Sequence, residues 1–159
     1  MIAIVAVLAA GVTVKAQKRM PDIKLTDIEG VPVNSSALYG KSPVTLVHFW
    51  ATYCIPCKKL MGAIAGRRDT WKTKYGVDIV AVSIDDERKR ANVKTMIKEK
   101  GWKYRFFIDS DQQLKRALGF LAIPQTFLVD SKGNILYSHS GYQDGDERII
   151  EAQLKKIAQ

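Results

Sequence analysis

The stretch that decides the fold is VTLVHFWATYCIPC, residues 44–57. It begins as an apolar run with strand character and ends in a Cys-x-x-Cys motif that contains the only two cysteines of the chain. A strand that delivers such a pair into a helix is typical of a redox site. Once a helix starts there, the second sulfur follows the first by one turn, so both sulfurs can face the same side.

The alternative interpretation of the two cysteines is a passive structural bridge. So small a ring removes little entropy from the unfolded chain, and such a bridge would therefore stabilise the fold only modestly. Pro56 favours a helix that starts at the motif, because proline is tolerated in the first helical turn. Cys54 would then lie at the helix N-terminus, where free N–H groups and the helix dipole stabilise a thiolate. This position predicts Cys54 as the nucleophile and Cys57 as the resolving cysteine.

Three motifs of the chain resemble the thioredoxin superfamily and, within it, the TlpA-like and ResA-like exported thiol-disulfide oxidoreductases. They are PDIKLTDIEGVPV at residues 21–33, FWATYCIPC at residues 49–57, and AIPQTFLVDSKGN at residues 122–134. The resemblance implies an α/β thioredoxin fold, with a central mixed β-sheet, helices on both faces and an N-terminal β-hairpin extension. It also implies a thiol-disulfide oxidoreductase that needs no cofactor beyond a redox-active Cys54–Cys57 disulfide.

The resemblance also predicts where a substrate binds. It places Pro124 beside the disulfide as a cis proline, whereas an isolated X-Pro bond would be expected to be trans. The backbone of Ile123 would then pair with an extended segment of the partner, a form of strand addition. Tyr53 serves either as a rim contact or as plain packing. The predicted substrate-binding residues are Trp50, Tyr53, Ile55, Pro56, Ile123 and Pro124.

The chain departs from the pattern of these families at three positions. Leu60 replaces a glutamate that exported relatives often have, and Gly62 replaces a proline that kinks their helix. His48 takes the place of the buried aspartate of thioredoxins. Because histidine carries protons near neutral pH, His48 is a candidate proton relay. The alternative is a strand histidine with an ordinary hydrogen-bond partner.

Periodicity along the chain predicts five strands and four helices. The strands are predicted at residues 44–49, 77–84, 105–108, 126–129 and 135–139, and the helices from about residue 54 toward 74 and at 87–100, 112–118 and 146–158. Alternating strands and helices, followed by a hairpin with a turn at residues 131–134 and a last helix, predict a mixed sheet covered on both faces. Ile150, Leu154 and Ile157 lie at helical spacing and predict a core-facing stripe. Cys54 should lie at the carboxyl edge of the sheet, where such sheets bind ligands.

The N-terminal segment bears on where the protein works. Residues 1–14 are apolar but shorter than the roughly 20 residues of a spanning helix, so residues 1–16 are predicted to be a signal peptide. An N-terminal anchor is the alternative, because no basic residue precedes the apolar run. Residues 17–159 would form one thioredoxin-like domain, in keeping with a length of 159 residues and 47% hydrophobic content. The predicted location is periplasmic or extracytoplasmic, with membrane association through the N-terminal segment.

The charge of the chain bears on its partners. The formal net charge is +9, but many basic residues alternate with acidic ones in helical stretches such as residues 86–90. Solvated helix faces explain this pattern better than nucleic-acid binding does, and the charge favours acidic partners or lipid headgroups. The predicted partners are protein disulfide or dithiol substrates and an upstream thiol electron donor, with no nucleic acid, and the protein is predicted to be a monomer.

Two other functions compete with thiol-disulfide exchange. Copper(I) prefers thiolates, so Cys54, Cys57 and a histidine could form a copper chaperone site, although no motif places His139 there. Zinc-finger spacing is absent from the sequence, and no metal site is predicted. The second alternative is a peroxiredoxin-like peroxide reductase, although the usual threonine and proline around a lone cysteine are not found here.

Overall fold

The structure is a computed structural model that describes residues 18–159; the predicted signal peptide or anchor at residues 1–16 lies outside the described residues. Seven strands and five helices form the fold. The strands are β1 (Lys24–Asp27), β2 (Pro32–Asn34), β3 (Val44–Trp50), β4 (Val77–Ser83), β5 (Arg105–Ile108), β6 (Gln125–Asp130) and β7 (Ile135–Ser140). The helices are α1 (Ile55–Ala65), α2 (Arg68–Tyr75), α3 (Arg90–Lys100), α4 (Gln113–Leu118) and α5 (Asp146–Ile157).

The strands form one mixed sheet in the order β2-β1-β5-β4-β3-β6-β7. Strands β3, β4 and β5 run parallel, while β6, β7, β1 and β2 join antiparallel. Every residue of β3 is buried, as expected for a central strand covered on both faces. The predicted mixed sheet with its N-terminal hairpin is confirmed.

Helices cover both faces of this sheet. Because successive side chains of a strand point to opposite faces, the apolar strands contribute to a cluster on each side. On one face, Leu46 and Ile79 pack with residues of α1, α2 and α5. Val47, from the other face, belongs to a second cluster that includes residues of α3 and α4. Ile150 and Leu154 of α5 are buried and Ile157 packs against them, which confirms the predicted stripe.

The helix predicted from residue 54 toward 74 is interrupted. Helix α1 continues through Gly62 and ends at Ala65, and α2 begins at Arg68. The N–H of Arg67 bonds to the carbonyl of Ile64 at 3.0 Å, a three-residue step that tightens and closes α1. The Arg67 guanidinium then donates to Glu151 of α5 at 2.6 Å, so a tertiary contact accompanies the break.

The other predicted helices differ only at their ends. The segment predicted at residues 87–100 begins as a 3₁₀ turn at Glu87–Lys89 before α3 starts. Asp86 caps this turn, with its Oδ1 accepting from the N–H of Arg88 at 3.0 Å.

The hairpin between β6 and β7 has the predicted turn. Oδ1 of Asp130 accepts hydrogen bonds from the N–H groups of Lys132 and Asn134, both at 2.8 Å. Gly133 has φ of +87°, and a Cβ there would approach the Tyr39 ring to 2.8 Å. The positive φ therefore favours glycine at this turn, and any larger residue would also have to displace the end of the Tyr39 side chain.

Candidate redox site

The two cysteines form a disulfide at the start of helix α1. Strand β3 ends at Trp50, a short turn follows, and Cys54 is the N-cap of the helix. The N–H of Cys57 donates to the Sγ of Cys54 at 3.3 Å, and Pro56 lies in the first turn. The sequence-based placement of the motif between a strand and a helix N-terminus is confirmed.

The two sulfurs differ in accessibility. Cys54 is 7% exposed, whereas Cys57 is fully buried. An incoming partner can therefore reach the first cysteine but not the second. This asymmetry is what a nucleophile followed by a resolving residue requires.

A buried carboxylate holds the turn that leads to Cys54. Asp85 follows β4 and is 2% exposed. Its two oxygens accept from the N–H of Thr52 at 2.8 Å and from the Thr52 hydroxyl at 2.7 Å, and Oδ2 also accepts from Ser83 at 2.7 Å. The Nζ of Lys58 donates to the carbonyl of Thr52 at 2.9 Å. Thr52, two residues before Cys54, is thus held in place through its N–H, its hydroxyl and its carbonyl.

The proline loop lies at the same edge of the sheet. Gln125 is paired with Phe49, so the residue before it, Pro124, lies level with the end of β3. The Ile123–Pro124 bond is cis, as the resemblance predicted. The carbonyl of Pro124 accepts from Gly141, whereas within residues 18–159 the backbone of Ile123 forms no hydrogen bond. The backbone of Ile123 is therefore available to an added strand.

Exposed apolar side chains surround the disulfide. Tyr53 and Ile55 are each 64% exposed, and Leu121 in the proline loop is 93% exposed. Pro56 is also exposed, and Ile123 is half-buried. A groove of about 440 Å³ separates the start of α1 from the loop before α5; it is lined by Ile55, Pro56, Lys59, Tyr142, Gln143 and Asp144.

His48 lies beneath the disulfide on strand β3. It is 1% exposed, and its Nδ1 lies 2.9 Å from the Thr126 hydroxyl. The pKa of His48 is lowered to about 3, chiefly because the ring is buried; a hydrogen bond with the Cys57 backbone partly opposes this shift, and the charge of His139 contributes to it. The imidazole is therefore neutral near pH 7 while the cysteines are joined.

With this geometry in view, comparison with known proteins decides the family. The Redoxin family model matches residues 15–154. This chain belongs to the Redoxin family. It is 30% identical to the thiol-disulfide oxidoreductase ResA of Bacillus subtilis strain 168 over 131 residues, and this aligned segment covers 82% of this chain and 70% of that protein. It is 31% identical over 140 residues to the ResA protein of Bacillus anthracis, with 88% and 77% covered.

A solved structure agrees with this assignment. The solution structure of a thioredoxin-like protein from Porphyromonas gingivalis superposes with a TM-score of 0.78 at 33% identity, covering 87% of this chain and 91% of that one. This redoxin is therefore a thiol-disulfide oxidoreductase with a thioredoxin-like fold, and its substrates are protein thiols or disulfides.

One predicted contact of this redoxin is wrong. Trp50 was expected at the substrate surface, but its side chain is fully buried. It packs edge-on against Trp102 and Phe106, with ring centroids 5.6 and 6.3 Å apart. The reason is that Trp50 is the last residue of strand β3, and its side chain therefore packs in the core beside β5. The chain leaves the sheet only after Trp50.

The sequence analysis missed two residues that define the site of this redoxin. Leu121 is an exposed apolar residue whose proximity to the AIPQTF motif was the available signal. Asp85 is the first of two adjacent aspartates that directly follow the predicted strand at residues 77–84. Nothing in the local sequence indicates that its carboxylate bonds to Thr52, because that contact spans 33 residues.

The other histidine of this redoxin is engaged elsewhere. The Nε2 of His139 lies 2.8 Å from Oδ2 of Asp146, at the start of α5. Within residues 18–159, no group of three or more His, Cys, Asp or Glu side chains is arranged to hold a metal ion. Over the same residues, no helix combines the length and apolar character needed to cross a bilayer.

Proposed function

We propose that this redoxin reduces disulfides of partner proteins outside the cytoplasm, with Cys54 as the attacking thiolate. The Cys54 sulfur attacks one sulfur of the partner disulfide, whose S–S bond breaks as a mixed disulfide forms. Cys57 then loses its proton and attacks Cys54, which forms the Cys54–Cys57 bond and releases the partner as a dithiol. The observation that carries the proposal is the accessible Cys54 at a helix N-terminus with a buried Cys57 one turn later.

The electrostatics of α1 support Cys54 as the thiolate. A helix N-terminus stabilises an anion through its free N–H groups and dipole, and the N–H of Cys57 already points at the Cys54 sulfur. The first turn of α1 contains no acidic residue that would oppose the negative charge. Lys58 adds positive charge close by, since its Nζ bonds to the carbonyl of Thr52.

The surface around Cys54 supports an extended peptide as the substrate. The free backbone of Ile123 can pair with a partner strand that carries the target cysteine. The exposed side chains of Tyr53, Ile55 and Leu121 offer apolar contacts on either side of that strand. Recognition would thus combine sequence-independent backbone pairing with a preference for apolar neighbours of the cysteine.

The location and the direction of electron flow rest on the family. The resemblance to exported reductants and the ResA names of the relatives support a reductant outside the cytoplasm. The predicted leader at residues 1–16 supports export, with membrane association if the leader is kept as an anchor. The disulfide itself serves as the redox group, so an upstream thiol donor must regenerate the dithiol after each cycle, and the monomer is the proposed working unit.

The reduction potential of the Cys54–Cys57 pair tests the direction. Equilibration with glutathione buffers, followed by alkylation and mass measurement, gives the fraction of dithiol at each ratio. We expect a potential near the roughly −270 mV of thioredoxin, since a reductant must hold its electrons weakly. A value near the roughly −120 mV of a strong disulfide donor would contradict the reductant assignment.

A further inference from the structure

The end of the sheet opposite the disulfide is surrounded by basic side chains. Strands β3 and β4 run parallel and begin side by side at Val44 and Val77, and β6 ends beside them at Asp130. We call this end of the sheet the amino pole. The disulfide follows the other end of β3, which is seven residues long, so the amino pole and the redox site are separated by about 23 Å of strand.

Three helices end at the amino pole. Helix α2 directly precedes β4, and a Cβ on its capping residue Gly76 would lie 3.5 Å from the ring of Pro43, next to β3. Helix α3 leads from the end of β4 back to the start of the parallel strand β5. Helix α5 follows β7, which runs in the direction of β3, and Ile157 at its end belongs to the same apolar cluster as Tyr75 of α2. The last turns of the three helices contain Lys72 and Lys74, Lys98 and Lys100, and Lys155 and Lys156.

Loops at the same end of the sheet add further positive charge. Lys41 lies shortly before β3, and Lys132 lies in the turn that joins β6 to β7. Arg19 contacts this turn, because its Nη2 donates to the carbonyl of Lys132 at 2.6 Å. The basic residues of the amino pole are all exposed; they are Arg19, Lys41, Lys72, Lys74, Lys98, Lys100, Lys132, Lys155 and Lys156.

Acidic residues do not neutralise this charge. Within residues 18–159, none of the basic side chains of the amino pole forms an ion pair. Asp78 pairs with Arg105, and Asp130 accepts from N–H groups of the turn after β6. Glu99 is the only acidic residue in the last turns of α2, α3 and α5. The basic residues around the start of α3 differ, because each has an acidic partner: Arg88 with Asp86, Arg90 with Glu87, and Lys94 with Glu29.

We propose that the amino pole is a docking surface for anionic lipid headgroups, which holds the domain on a bilayer with its disulfide facing away from the lipid. Basic residues that lie close to an anionic bilayer each contribute to binding, so a group of unpaired ones on one surface acts together. A lysine in a last turn also stabilises its own helix through the helix dipole, but this effect does not account for Arg19, Lys41 and Lys132 in the loops. The surface lies outside the redox site, and its role is independent of the direction of thiol exchange.

The point where the chain enters the fold supports a bilayer as the partner. The carbonyl of Lys18 accepts from the N–H of Ile135, and the N–H of Met20 donates to the carbonyl of Gly133, so this entry point lies beside the turn after β6. The apolar run at residues 1–14 ends four residues before Lys18, a separation of at most about 14 Å. This separation is comparable with the Debye length of about 8 Å at physiological ionic strength. A leader kept as an anchor would therefore hold the amino pole close to the headgroups.

Cosedimentation of the full chain with lipid vesicles tests the proposal. The protein should bind vesicles of phosphatidylcholine mixed with phosphatidylglycerol at least about tenfold more tightly than vesicles of phosphatidylcholine alone, and added salt should remove the difference. Equal binding to both kinds of vesicle, without dependence on salt, would overturn the proposal, because insertion of the apolar leader would then explain the binding by itself. This comparison needs no substitution in the folded domain.

Matched variants separate the amino pole from the overall charge of the chain. One variant removes four charges from the ends of α2 and α5 by Lys72→Gln, Lys74→Gln, Lys155→Gln and Lys156→Gln. Its affinity for the mixed vesicles should fall at least about tenfold, since each of these lysines contributes to binding. The control removes four exposed basic residues that lie away from the amino pole, by Arg88→Gln, Lys89→Gln, Arg116→Gln and Arg148→Gln. The control should retain most of the affinity, and an equal loss in both variants would overturn the proposal.

The reactivity of Cys54 on the vesicles tests the orientation. The reduced protein is mixed with dithiodipyridine, an uncharged disulfide, with and without enough mixed vesicles to bind it all. Because the amino pole lies at the opposite end of β3 from the disulfide, the rate of thiopyridone release should be the same in both samples. A rate that falls about tenfold or more on the vesicles would place the redox site against the bilayer and overturn the proposed orientation.

Discussion

A Cys57→Ser variant in its reduced form should become covalently linked to a protein disulfide substrate and remain so. Cys54 still attacks, because its accessible sulfur and its place at the start of α1 are unchanged. Without the Cys57 sulfur, the mixed disulfide has no internal route to resolution. Non-reducing electrophoresis followed by mass spectrometry measures the adduct and identifies both the attacked partner and the direction of exchange.

Cys54→Ser is the matched control for this experiment. It should capture no partner and should lose exchange activity to background, since the remaining Cys57 is fully buried. Capture of partners by Cys54→Ser as readily as by Cys57→Ser would instead make the buried Cys57 sulfur the nucleophile and contradict the proposed function.

Trp50→Ala should destabilise the fold by about 3–5 kcal/mol, the usual cost of removing a fully buried large aromatic side chain. Its ring packs against Trp102 and Phe106 at the end of β3, immediately before the active-site turn. The free energy of unfolding follows from denaturant titration monitored by far-ultraviolet circular dichroism. This signal is suitable because it does not depend on the tryptophan that is removed.

Tyr53→Ala provides the comparison, since Tyr53 is only three residues away but 64% exposed. Its truncation should change the free energy of unfolding by no more than about 0.5 kcal/mol, as is usual for surface substitutions. A smaller loss for Trp50→Ala than for Tyr53→Ala would contradict the burial of Trp50 in the core.

The fold was predictable from sequence wherever local pattern determines structure. The segment 105–108 was predicted with its observed bounds, and the apolar run at residues 44–49 is one residue short of β3. The break between α1 and α2 was not predicted, although Gly66 lies in it as the C-cap of α1. The contact of Arg67 with Glu151, which lies 84 residues away along the chain, accompanies the break and has no signal in the local sequence.

The site divides in the same way. Cys54, Pro56 and Cys57 are adjacent in sequence, and their spacing alone indicates a helix N-terminus that carries a redox pair. The contacts of Thr126 with His48 and of Asp85 with Thr52 depend on strand register, which the sequence pattern does not specify. Trp50 was misassigned because position next to a motif says nothing about which way a strand delivers a side chain.

The ionisation of the Cys54 thiol in the reduced protein tests the central claim most directly. It can be followed by the pH dependence of alkylation, with mass spectrometry assigning each modified cysteine. We expect Cys54 to react first, with a pKa clearly below the value of about 8.5 for an ordinary cysteine. A Cys54 pKa at or above that value, or faster alkylation of Cys57, would contradict that claim.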